Sequence, residues 1–221
     1  YAMAPPGVPL HTGRISITNP RMEDDAGMEA LMVQIRASIG QAVRDVMTCE
    51  PDYLVMGMSS ETFWGGRKGT EEFERNIERL SGLRIATGAR ACERALTVLG
   101  ARRLGIVTPY QPVGDAQVRR FLEECGYEVV ALKGLRCPTA VSIAHEDEAT
   151  LRRAILEVNR PEVEAIVQVG TNLSMLRLAD EAERWLGKPV IAINAATFWY
   201  ALRENGITDQ ILGSGRLLAE H

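Results

Sequence analysis

The chain repeats itself. Aligning residue n with residue n+106 pairs Ile85 with Ile191, Ala86 with Ala192, Ala89 with Ala195, Ala95 with Ala201, Leu96 with Leu202 and Gly100 with Gly206. Upstream of each copy, an apolar run ends in glycine and then small polar residues, at Gly57 in the first half and Gly170 in the second. Further back, residues 12–18 pair with 127–133, and in both copies an acidic-started helix follows. Three matches in the same order mark an internal duplication, so the chain has to fold as two copies of one unit.

The unit is read from its periodicity. Apolar runs alternate with amphipathic stretches, which predicts strands at 11–18, 53–58, 84–87, 104–108, 127–133, 165–169 and 190–193. Helices are predicted at 25–46, 70–80, 89–99, 115–125, 146–158, 174–186 and 195–204, with turn signals at Gly82, Gly100, Gly126, Gly187 and Gly206. Several of the strands are apolar without alternation, as in a parallel sheet covered on both faces. The expected fold is therefore α/β, with two pseudo-symmetric lobes, each a parallel sheet flanked by helices. Lobe one takes residues 1–98 and 203–221, lobe two takes 99–202, and the active-site cleft lies between them. Lobe two opens with a strand at Leu104, but nothing equivalent stands before Tyr1 in the first copy. The full gene product is expected to carry that strand.

Composition narrows the functional classes. The 221 residues carry a net charge of −4 with no Lys/Arg cluster, which argues against a nucleic-acid partner. No apolar run reaches the roughly 18 residues of a membrane span, which argues against a membrane partner. The four cysteines, Cys49, Cys92, Cys125 and Cys137, have neither metal-ligand spacing nor neighbouring histidines, so no metal is expected. Free thiols in a reducing, cytoplasmic setting are the expectation.

Ligands of parallel sheets bind beyond the carboxyl ends of the strands, where backbone N–H groups point outward. Three strand ends carry polar residues suited to that place: Gly57-Met58-Ser59-Ser60, Thr108-Pro109-Tyr110 and Gly170-Thr171-Asn172. The first and third would face each other across the cleft and hold a small dianion through N–H and O–H donors. The plainer reading is that they cap the helices that follow. Cys137, in Arg136-Cys137-Pro138-Thr139, is placed to line the cleft, with Arg136 or a helix N-terminus lowering its pKa; Cys49, Cys92 and Cys125 read as buried structural thiols. Residues 65–70 read as a mobile lid ahead of a helix capped at Thr70. Phe63 and Trp64 pack in the core or wall the pocket.

These residues resemble a known group. Val55-Met-Gly-Met-Ser-Ser60, Gly105-Ile-Val-Thr-Pro-Tyr110, Ile166-Val-Gln-Val-Gly-Thr-Asn172, Glu183-Arg-Trp-Leu-Gly-Lys-Pro-Val190 and Gly213-Ser-Gly-Arg-Leu-Leu218 are together similar to the aspartate/glutamate racemase superfamily, in the branch of maleate cis-trans isomerases and arylmalonate decarboxylases. The resemblance covers essentially the whole chain. It implies two pseudo-symmetric lobes, cofactor-free chemistry on a small carboxylate, a homodimer or homotetramer, and substrate contact at Tyr110. It also implies an opening strand that ends in a serine-asparagine pair, which this chain lacks. Relatives in this branch use cysteines at the ends of the matched strands, two in the isomerases and the second alone in the decarboxylases. Here the two positions fall on Gly57 and Gly170, and glycine neither carries a proton nor adds to an alkene.

Two functions remain. The first is an isomerase- or decarboxylase-like enzyme that passes through an enolate-like or elimination step. Its catalytic candidates are Tyr110, Ser59 and, as a substitute thiol, Cys137, with Gly57, Met58, Ser59, Ser60, Tyr110, Gly170, Thr171 and Asn172 binding substrate. The alternative is a non-catalytic small-anion binder that kept the pocket and lost both thiols.

Overall fold

The computed structural model describes residues 2–221. Helix α1 (Asp25–Met47) starts where Asp24 accepts a hydrogen bond from the Gly27 N–H at 2.8 Å, a side-chain cap on one of the free first-turn donors. The chain then forms β1 (Leu54–Val55), α2 (Ser60–Phe63), α3 (Gly66–Ser81), β2 (Ile85–Ala86) and α4 (Gly88–Leu99). The second half runs β3 (Arg103–Thr108), α5 (Pro112–Glu124), β4 (Glu128–Gly134), α6 (Glu148–Val158), β5 (Ala165–Gln168), α7 (Leu176–Leu186), β6 (Val190–Ala192) and α8 (Ile193–Glu204). Helix α9 (Arg216–Glu220) closes it. Among the described residues no helix is long and apolar enough to cross a membrane.

All ladders are parallel. One sheet is β1–β2, with Leu54 opposite Ile85; the other has the order β4–β3–β5–β6, with Ile106 opposite Val167 and Val167 opposite Ile191. Every residue of β5 and β6 is buried, as the unalternating apolar runs required. The duplication is visible in the pairs β1–β2 and β5–β6 and in the helices that follow them. Helices α4 and α8, which the repeat equates, pack against each other. Their buried Ala89, Ala91, Ala95, Ala195 and Ala196 are small enough for a close approach.

Two expectations fail. Residues 11–18 form no strand. They run extended along α1, tied by the Ser38 hydroxyl donating to the Ser16 carbonyl at 2.6 Å and by the Thr18 N–H donating to Gln34 Oε1 at 2.9 Å. Ile15 and Ile17 pack on the core, so the two-residue period was read correctly. A ladder needs a neighbour, however. The equivalent strand β4 pairs only with β3, and among the described residues the first half has no counterpart of β3.

Residues 65–70 are likewise no free lid. They form the start of α3, and two of their backbone donors are taken by α5: Gly65 N–H by Gln117 Oε1 at 2.9 Å and Arg67 N–H by Glu124 Oε2 at 2.7 Å. Thr70 does not cap the helix. It is fully buried and donates to the Thr62 carbonyl at 2.6 Å.

The same contact region holds an aromatic pair, Phe63 of α2 edge-on to Phe121 of α5, with ring centroids 5.2 Å apart and planes at 85°. Both rings are buried, so Phe63 is core and not pocket wall, while Trp64 is half-buried beneath the Arg36 guanidinium. Because this pair joins the loop after β1 to the second half of the chain, Phe121→Ala is expected to lower unfolding stability by about 3–5 kcal/mol, read from the denaturant midpoint.

Candidate functional site

The loop after β1 and the turn after β3 meet through two side chains. Ser59 occupies the N-cap position of α2, but its hydroxyl does not cap; it lies 3.0 Å from the Tyr110 hydroxyl. Both residues are buried, with relative exposures of 1% and 5%. Thr62, one turn on, returns its N–H and its hydroxyl to the Ser59 carbonyl at 3.0 and 2.7 Å, which fixes the loop from which Ser59 projects. Burial pushes the Tyr110 phenol well above its ordinary pKa, against the opposing effect of the Ser59 hydrogen bond. The phenol therefore stays protonated, and either hydroxyl of the pair can donate to the other.

Tyr110 is held through its backbone. Its N–H donates to Thr108 Oγ1 at 3.2 Å, and its carbonyl accepts from Arg136 Nη1. Arg136 Nη1 also donates to Asp115 Oδ2 at 2.6 Å, and the Thr108 hydroxyl donates to Asp115 Oδ1. Burial raises the pKa of Asp115, while its bonds to Thr108 and Arg136 pull it the other way.

A strap lies beside the turn. Arg21 bridges Thr139, the Met22 N–H donates to the Pro138 carbonyl at 2.8 Å, and the Val141 N–H donates to Asn19 Oδ1 at 3.1 Å. The side chain of Gln111, next to Tyr110, donates to the Met22 carbonyl, so the strap is fastened to the turn.

The remaining candidates are placed as follows. Met58 and Ser60 engage each other, the Ser60 hydroxyl donating to the Met58 sulfur at 3.2 Å. Gly57 is exposed, and a Cβ built on it meets nothing within 4 Å. Gly170 is the opposite case. It is buried with φ +110°, and a Cβ there would lie 2.6 Å from the Pro109 ring. Thr171 and Asn172 tie loops together: Asn194 Nδ2 donates to the Thr171 carbonyl at 2.9 Å, and Asn172 Nδ2 donates to the Ala140 carbonyl at 2.9 Å. Among the described residues no hydrogen bond joins either of them to the Ser59–Tyr110 pair. The structure thus brings Ser59 and Tyr110 together and sets Asn172 on the strap.

The expectation for Cys137 is corrected. Its thiol is buried and donates to Glu146 Oε1 at 3.3 Å; burial first, then the Glu146 carboxylate, pushes its pKa up to about 12. The Arg136 guanidinium is turned to Asp115 and Tyr110 instead. Cys49 is also corrected, since it is exposed rather than buried. Among the described residues no group of three or more His, Cys, Asp or Glu side chains is placed to hold a metal ion. Two cavities, of about 250 and 320 Å³, lie away from the pair, one between α7 and the C-terminal segment and one between α4 and α8.

Sequence reading singled out Thr108 at its strand end but missed Asp115 and Gln111 as parts of this region. Asp115 looked like an ordinary acidic residue in a helix first turn. Its spacing from Val118 and Leu122, three and seven residues on along one face of the helix, was the signal of an inward-facing position.

Residues 35–218 match the family model of arylmalonate decarboxylase. A maleate isomerase of Pseudomonas putida is 24% identical over 219 residues, which is 99% of this chain and 87% of that protein. An arylmalonate decarboxylase of Bordetella bronchiseptica is 27% identical over 165 residues, 73% of this chain and 69% of that protein. Among solved structures, Nocardia farcinica maleate cis-trans isomerase with a covalently bound succinylcysteine intermediate shares the fold at a TM-score of 0.86 and 22% identity, covering 98% of this chain and 89% of that one. A liganded cysteine-exchange variant of arylmalonate decarboxylase gives a TM-score of 0.78 at 25% identity, covering 89% and 83%.

Two measurements check the geometry. Native alkylation with iodoacetamide at pH 8 is expected to modify Cys49 rapidly and to spare Cys92 and Cys137 until the chain is unfolded, read by mass spectrometry. Gly170→Ala is expected to cost about 1–3 kcal/mol for its backbone conformation and its clash. Gly57→Ala should stay within about 0.5 kcal/mol of the parent; both are read from chemical denaturation.

Proposed function

Because the chain belongs to the arylmalonate decarboxylase family, we propose that it is a cofactor-independent, isomerase- or decarboxylase-like enzyme of small carboxylates, and that Ser59 and Tyr110 stabilise the negative charge of an enolate-like state. The observation that carries this reading is the buried 3.0 Å contact between the two hydroxyls. The pair holds two protons, and its mutual bond uses one. The other is free for an anionic oxygen, in a setting where little water competes.

What the pair does not do is move a proton. A phenol raised above its ordinary pKa gives a hydrogen bond but is a poor acid, and no thiol stands at position 57 or 170 to return a proton to carbon. On this reading the carbon takes its proton from water. Decarboxylation of a prochiral arylmalonate then yields racemic product. Gly57→Cys introduces a thiol where the structure leaves open space, and is expected to raise turnover and to favour one enantiomer.

A second reading, a small-anion binder without catalysis, is favoured by the same two glycines. The experiment that divides the two incubates the protein with maleate, phenylmalonate and related acids in deuterated water and follows turnover and carbon-bound deuterium by NMR. The enzyme reading expects turnover, reduced about 10²–10³-fold by removing one donor in Tyr110→Phe. Binding without turnover or exchange leaves only the binder reading, and absence of both binding and turnover across the panel overturns both.

A further inference from the structure

We propose that Asp115 and Arg136, acting through Thr108, are positioning residues that set where the Tyr110 phenol stands; the catalytic meaning of this rests on the reading of Tyr110 given above. The bonds form a closed ring. Tyr110 N–H donates to Thr108 Oγ1, the Thr108 hydroxyl donates to Asp115 Oδ1, Arg136 Nη1 donates to Asp115 Oδ2, and the second proton of the same nitrogen reaches the Tyr110 carbonyl. Both backbone polar groups of Tyr110 are thereby referred to one carboxylate.

The ring has a direction imposed by chemistry. An ionised carboxylate only accepts, so it forces the single Thr108 proton towards itself and leaves a Thr108 lone pair facing the Tyr110 N–H. Asparagine at 115 has nearly the same shape, but its amide N–H would either face the Arg136 donor or point at Thr108, whose own proton would then lose its acceptor. The Arg136 fork is equally particular, because one nitrogen has to serve a carboxylate and a carbonyl at once.

The backbone around Arg136 is arranged to deliver that side chain. Leu135 N–H donates to the Thr108 carbonyl at 2.8 Å and Cys137 N–H to the Pro109 carbonyl at 3.0 Å, so the end of β4 is stitched to the turn on both sides of Arg136. Arg136 itself sits at φ +60°, a left-handed conformation uncommon for a side chain of this kind. Two residues earlier, a Cβ on Gly134 would collide with both the Arg136 guanidinium and the Asp115 carboxylate. Side-chain exposures are 9% for Asp115 and 43% for Arg136, so the carboxylate is removed from water while the guanidinium reaches in from the surface. A salt bridge serving stability alone has no need of the Tyr110 carbonyl or of a strained arginine.

The test reads Tyr110 directly. The five tyrosines are replaced with 3-fluorotyrosine, the Tyr110 resonance is assigned by its loss in Tyr110→Phe, and its ¹⁹F shift and alkaline titration are compared in Asp115→Asn, Arg136→Lys and Arg136→Ala. The expected result is a shifted Tyr110 resonance with a changed titration in Asp115→Asn and Arg136→Ala, a smaller shift in Arg136→Lys, and unmoved resonances for Tyr53, Tyr127 and Tyr200. An unchanged Tyr110 resonance and titration in folded Asp115→Asn and Arg136→Ala overturns the proposal.

If those variants fail to fold, Thr108→Val and Thr108→Ser decide. The first removes the hydroxyl at constant shape and should move the resonance; the second keeps the hydroxyl and should restore it, and equal spectra for the two overturn the proposal. Where a substrate turns over, Asp115→Asn is expected to lower kcat by about 10²-fold with little change in KM. The NMR readout needs no substrate, so the positioning role fails or stands apart from the proposed reaction.

Discussion

A hydroxyl buried without a partner costs about 1–3 kcal/mol, and the loop after β1 and the turn after β3 bury Ser59 and Tyr110 where they meet. Ser59 and Tyr110 satisfy each other, although 51 residues separate them in the chain. That mutual bond fixes the distance between the loop after β1 and the turn after β3. The surroundings serve the same end: Thr62 holds the Ser59 carbonyl, Phe63 locks α2 against Phe121 of α5, and the Asp115 ring holds the Tyr110 backbone. The closed arrangement is one in which neither loop can shift without breaking several bonds.

Much of this was readable from residues alone, and the reasons are local. The repeat and the unalternating apolar runs of β5 and β6 are properties of short windows, and so is the rule that polar residues at strand ends gather at one edge of a parallel sheet. Ser59 and Tyr110 are both strand-end residues of that kind. What was misread depends on partners distant in sequence. Residues 11–18 have a strand's period but no neighbour to pair with. Residues 65–70 are glycine-rich, and become helix because Gln117 and Glu124 of α5 take their backbone donors. Arg136 reads from sequence as a partner of the thiol beside it, but its left-handed backbone at φ +60° and the bonds of Leu135 and Cys137 to the turn deliver the guanidinium to Asp115.

The two glycines at the ends of the matched apolar runs, Gly57 and Gly170, are not equivalent, and sequence could not separate them. Gly57 has an ordinary backbone with empty space around it, so a side chain could stand there without strain. Gly170 has φ +110° and the Pro109 ring against it, so its backbone has settled into a conformation that excludes a side chain. Pro109 is the residue before Tyr110, which ties the conformation at Gly170 to the turn that presents the phenol. The two strand ends therefore share a glycine and differ in geometry.

The proposed reading also says which ligands the pair would accept. To bind a ligand oxygen, Ser59 and Tyr110 need not give up their mutual bond, since one proton remains free; to put both donors on the same oxygen, they must. A neutral carbonyl offers a bond of about the same strength as the one it replaces, and gains nothing. An anionic oxygen offers a charge-assisted bond roughly twice as strong, and the gain grows where water is kept away. The bonded strap of residues 19–22 and 138–141 is fastened by Gln111 to the turn that carries Tyr110. On the proposed reading, the hydroxyl pair is thus a threshold as much as a donor: it opens fully only for the oxygen that carries the developing charge, which is the selectivity an enolate-forming site requires.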